Sequence, residues 1–107
     1  MAYDDELADR VRAVIAGRAT ERRMFGRLMF SVGGNLACGV AGDGLMVRLS
    51  PDDAEAALTE QDAGPSLMGD RPMAGWVLVA SSGLQDEESL RRWTDRGLAF
   101  AGSLPAK

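Results

Sequence analysis

The sequence predicts an α+β fold: a two-layer domain in which an antiparallel sheet, a three-stranded meander plus one or two further strands, packs on helices in the order α-β-β-β-α-β-β-α. Three observations predict it. Apolar residues at helical spacing open and close the chain, glycine-punctuated runs of strand character fill its middle, and the turns between those runs are too short for parallel pairing.

Residues 4–18 read as a helix, with Leu7, Val11, Val14, Ile15 and Arg18 on one face and Asp4, Asp5 and Glu6 at the positive end of its dipole. A short basic connector then leads into the strands. Register follows from face parity, because a one-residue slip turns every apolar side chain to the wrong side. With Asp43-Gly44 as a type I′ turn, Gly42 faces Leu45, Val40 faces Val47 and Cys38 faces Leu49. A three-residue loop, Gly33-Gly34-Asn35, then sets Val32 opposite Leu36. Leu28, Phe30, Val32, Leu36, Cys38, Val40, Leu45, Val47 and Leu49 form one apolar face.

Ser50-Pro51-Asp52-Asp53 is a helix start: a capping hydroxyl, a proline where no amide donor is needed, and carboxylates at the dipole. That helix is expected to run to about Thr59. Residues 61–75, with Gly64, Pro65, Gly69, Pro72 and Gly75, read as loop with one short strand near Ser66 to Met68, and 76–80, WVLVA, as a strand. The last helix begins near Asp86 and runs to about Ser103, with Leu90, Trp93, Gly97, Phe100, Ala101 and Leu104 as its apolar stripe and Pro105 beyond it.

At 107 residues, 46% of them hydrophobic and 26% charged, the chain is expected to form one soluble domain, residues 1–107. A lone Cys38 fits a reducing, cytoplasmic setting. The N-terminus is acidic where a signal peptide is basic, and no apolar run reaches the ~20 residues of a membrane span, so no membrane role is expected. The net charge of −4 argues against direct nucleic-acid binding, although Arg10, Arg12, Arg18, Arg22, Arg23 and Arg27 crowd one segment that could contact an acidic partner.

Tests for chemistry return little. Gly34 and Gly39 have the outer spacing of a phosphate loop, but Val40 and Ala41 stand where Lys and Ser/Thr are required. With no histidine, neither a Ser-His-Asp triad nor a histidine metal site can be assembled. Cys38 falls on the proposed core face, and Asp52-Asp53 and Glu87-Glu88 sit where helix starts favour acids structurally. No catalytic residue, cofactor or metal is therefore expected.

The other sheet face carries Phe25, Arg27, Met29 and Ser31, then Ala37, Gly39 and Ala41, then Met46 and Arg48. That is more apolar than a solvated face usually is. Either the glycine-rich 61–75 segment covers it, or it is a flat surface for a protein partner or a second copy. The candidate partner-binding residues are Phe25, Arg27, Met29, Met46 and Arg48, with Arg71 and Trp76 near the loop. The alternative is a small-ligand-binding domain or an unrecognised enzyme with a pocket near residues 69–76.

The motifs Met24-Phe25-Gly26, Cys38-Gly39-Val40, Leu45-Met46-Val47-Arg48, Arg71-Pro72-Met73, Gly75-Trp76-Val77 and Ser103-Leu104-Pro105 resemble the N-terminal domain of the TfoX/Sxy family of bacterial competence regulators. The resemblance implies an α+β domain without enzymatic activity, whose best-known relatives assist a catabolite-activator-type transcription factor. Arg27 stands where a second glycine commonly follows Met-Phe-Gly. The chain is expected to hold this first domain alone, without the helical C-terminal domain of those relatives.

Overall fold

The computed structural model describes residues 3–68 and 70–107. In chain order it contains α1 (Asp5–Ile15), β1 (Thr20–Met24), β2 (Arg27–Val32), β3 (Asn35–Ala41), β4 (Gly44–Arg48), α2 (Pro51–Ala57), β5 (Ala63–Met68), β6 (Arg71–Val79) and α3 (Glu87–Ser103). The six strands form one antiparallel sheet in the order β1-β2-β3-β4-β6-β5. Buried residues of all three helices share a single core with Leu28, Phe30, Cys38, Val40, Leu45, Val47, Val77 and Val79, so the helices cover one face of the sheet. The α+β class and the two-layer arrangement are as predicted.

The helix starts follow their caps. Asp4 accepts from the Leu7 amide at 2.9 Å, Ser50 from Asp53 at 3.1 Å and Asp86 from Ser89 at 3.0 Å, each satisfying a donor that has no partner within the helix. The end of α1 differs from the expectation. Ala16 adopts the left-handed conformation and stops the helix at Ile15, and Arg18, expected on the apolar stripe, instead donates to the carbonyls of Val14 and Ile15 and to Asp95. It is a C-terminal cap, not a core residue.

The basic connector is in fact strand β1, which makes the meander four strands long. It turns into β2 through Phe25 and Gly26, both at positive φ (52° and 74°), the backbone of a type I′ turn. Two register details also differ. The β3–β4 turn is Gly42-Asp43 rather than Asp43-Gly44, so Val40 faces Leu45 and Cys38 faces Val47, a shift of two that leaves every side chain on its predicted face. The β2–β3 turn is Gly33-Gly34, with Val32 opposite Asn35, and a bulge at Ala37 supplies the extra residue. The bulge moves Leu36 to the second face and brings Ala37 into the core, where it is wholly buried.

At that bulge α3 packs directly against the sheet backbone. A Cβ on Gly97 would lie 2.4 Å from the Ala37 carbonyl oxygen, so only glycine fits. Beyond α3, Asn35 donates to the Pro105 carbonyl at 3.0 Å and the Lys107 amide to that of Gly33 at 2.8 Å. The C-terminal segment is thereby tied to the β2–β3 turn.

The 61–75 segment is not a cover. Its described residues extend the sheet as β5 and the first half of β6, with a bulge between Pro65 and Leu67.

Candidate functional site

The second sheet face is ordered around a gap. Register aligns Arg22, Met29, Gly39, Met46, Leu78 and Gly64 in one row across the strands. Gly39 has no side chain, and Met29 lies over it so closely that a Cβ there would fall 2.2 Å from the sulfur. An unbranched thioether suits such a gap. Met29 and its row neighbour Met46 are both buried (5% and 2% exposed) without belonging to the helix-side core.

These two methionines, predicted as contact residues, therefore form the floor of the face and not its surface. Beside them is a depression of about 310 Å³ whose apolar lining is Met24, Met29 and Leu36 and whose rim carries Thr20, Ser31, Arg22 and Lys107.

The remaining predicted residues are scattered around this floor. Phe25 projects from the β1–β2 turn, 91% exposed, and Arg27 opens β2 beside it, opposite Met24. Arg48 is half-buried at the end of β4; it donates to the Leu36 carbonyl at 3.3 Å and stands 5.6 Å from the centre of the Phe100 ring, so it is committed to the fold. Arg71 is exposed at the far hairpin, opposite Met68, and Trp76 pairs with Arg48. The structure thus groups Phe25 and Arg27 near Met29, and sets Arg71 and Trp76 apart from them.

Charge is sorted between the two sides. Among the described residues the ion pairs all involve helix residues or their C-terminal cap: Arg12 with Asp9 and Glu21, Arg18 with Asp95, Arg91 with Glu87, and Arg92 and Arg96 with Glu60. Hydrogen bonding to Arg12, opposed by desolvation and helped by the charges of Arg12 and Arg23, holds the Glu21 carboxyl below its usual range. At Glu60 desolvation pushes the other way, yet hydrogen bonds from Arg92 and Arg96 outweigh it and the carboxyl is again held low. By contrast Arg22, Arg23 and Arg27 have no carboxylate partner among the described residues, and neither Asp nor Glu occurs among the residues paired in register on the second face of β1 to β4. TERRM shows no strand alternation, so the sequence marks Arg22 and Arg23 only through the arginine density between residues 10 and 27.

A groove of about 340 Å³ lies between α2 and the β5–β6 hairpin, lined by Pro51, Leu58, Pro65, Pro72, Met73 and Trp76 with Glu55 as its charged member. It adjoins residues 72–76 of the predicted pocket; Gly69, the start of that stretch, lies outside the described residues. Cys38 is fully enclosed, and burial pushes its thiol up to about 12, which removes the nucleophilic thiolate at neutral pH. No helix is long and apolar enough to cross a membrane.

The architecture defines a small α+β domain with helices on one side of a six-stranded antiparallel sheet and a cation-edged second face. Residues 9–101 match the model of the TfoX N-terminal domain, and the chain belongs to that family. Neither the curated proteins nor the solved structures contain a match.

Proposed function

We infer that this domain is a non-enzymatic protein-interaction module of the TfoX/Sxy type, acting in transcription or competence regulation through a protein partner. The observation that carries the reading is Phe25. A phenylalanine held at φ 52° and 91% exposed is unfavourable twice over, in backbone conformation and in hydration, and its ring is not packed into the core of the described residues. Contact with a partner gives it a use. Its neighbours Arg22, Arg23 and Arg27 supply charge for orientation, and the family relationship makes a transcription factor the partner class to test first.

The test is affinity capture from the native cell with the wild-type protein and with Phe25→Asn, which keeps the turn. A transcription factor captured by the first and lost by the second supports the reading. Identical capture by both removes it. Sedimentation at rising concentration addresses the homodimer in the same way.

A second reading, a small-ligand site, rests on the groove beside Trp76. Its lining is apolar, so its ligand would be too. Ligand-induced shifts confined to Met73 and Trp76, with no effect of Phe25→Asn, would favour that reading.

A further inference from the structure

The two edges of the sheet are built differently. At one edge β5 carries Pro65, which has no amide donor, and a bulge after it, two devices that blunt pairing. At the other edge β1 pairs with β2 without interruption, has neither proline nor glycine, and is exposed from Thr20 to Arg23. A two-residue turn makes Met24 and Arg27 a hydrogen-bonded pair. By alternation Arg22 and Met29 are another, and the backbone N–H and C=O groups of Glu21 and Arg23 point away from β2, toward solvent.

The geometry points to β1 as a docking edge for an extended, acidic segment of a partner protein, which adds to the sheet as a seventh strand. This rests on the interaction reading and specifies its mode. Main-chain bonds to Glu21 and Arg23 supply register. Carboxylates on the added strand meet Arg22 on the second face and Arg23 on the helix side, two cations of β1 that form no ion pair among the described residues. Phe25 stands at the end of the new strand and offers it an apolar contact. A second copy fits less well. Two β1 strands paired about their centre oppose Arg22 to its own counterpart, a like-charge pair that destabilises a sheet, and the Glu21 that would face the second copy's Arg23 is already held by Arg12.

The probe is a short blocked peptide of valines with two adjacent glutamates at its centre, one for each face of the added strand, titrated into the whole protein and followed by amide hydrogen exchange and heteronuclear NMR. Exchange at Glu21 and Arg23 is expected to slow, while Arg22, already bonded to Met29, changes little. Binding weakens as salt rises. Arg23→Pro, which removes an outward donor, lowers affinity about tenfold, the value of one hydrogen bond. Arg23→Gln, which removes charge alone, lowers it by about two- to threefold.

Equal binding of the lysine-valine counterpart or of a single-stranded oligonucleotide overturns the proposal. So does protection of Glu21 and Arg23 by self-association in the absence of peptide. If the peptide does not bind while Phe25→Asn still abolishes capture of a partner, edge addition is wrong and the interaction reading stands. If Arg23→Pro does not fold, the Arg23→Gln titration and the exchange pattern decide.

Discussion

Replacing Phe25 by asparagine should make the domain more stable. At φ 52° an ordinary L-residue carries a penalty of about 1–2 kcal/mol, because its Cβ crowds the following carbonyl. Asparagine largely escapes this, and Asn-Gly is the favoured pair for a type I′ turn. Little packing is lost in exchange, since the ring is 91% exposed. A net gain of about 1 kcal/mol follows, or a rise in Tm of roughly 4 °C for a domain near this size. Urea unfolding monitored through the buried Trp93 measures it, with an unchanged m-value as the check that only stability moved. A variant no more stable than wild type would refute the strain argument, and with it the claim that Phe25 is kept at the expense of the fold. A gain in stability coupled to loss of capture is the pattern expected of a residue held for contact.

Other substitutions probe the core. Gly97→Ala should destabilise by about 2 kcal/mol despite alanine's better helix propensity, because the new methyl meets the Ala37 backbone; Gly102→Ala, whose nearest neighbour is 3.9 Å away, should not, and thermal melts compare them. Thr94→Val should gain about 1 kcal/mol in urea unfolding, since the buried Thr94 hydroxyl has no hydrogen-bond partner among the described residues. Cys38 should resist thiol reagents in the native protein and react at the rate of unfolding. Its thiol, raised from 9.0 to about 12, keeps a proton that the unfolded chain gives up, so this contribution to stability is present below pH 9 and is lost as pH rises toward 12. Cys38→Ala should remove that slope in unfolding curves collected between about pH 8 and 11.

The helix starts were legible because capping is local chemistry: Ser50-Pro51 and Asp86 mark α2 and α3 at the residues where they begin. The helix-facing side of the strands was legible for the same reason that register is strict, since a shift of two at β3–β4 leaves the faces unchanged. β1 was not legible. TERRM buries little, so it has no alternation to show, and its turn uses phenylalanine where the signal for a left-handed residue is asparagine or glycine. The bulge at Ala37 was hidden too, because it answers to the approach of α3 some sixty residues away. Of the candidate residues, Phe25 is exposed at the β1–β2 turn and Arg27 opens β2 beside it. The burial of Met29 and Met46 was not legible because parity gives a side chain its face but not its depth; for Met29 the gap above Gly39 decides that depth.

The order of elements along the chain bears on how the domain is made. β1 to β4 are consecutive and pair with their neighbours, so a nascent chain can assemble the meander from local contacts. β4, however, joins β6 and not β5, and waits for the second hairpin. α3, which roofs β2, β3 and β4, is synthesised after every strand. Until it arrives the sheet presents Leu28, Phe30, Val40 and Val47 to solvent or to a chaperone. Premature termination before Glu87 should therefore yield an aggregating product and not a smaller working domain.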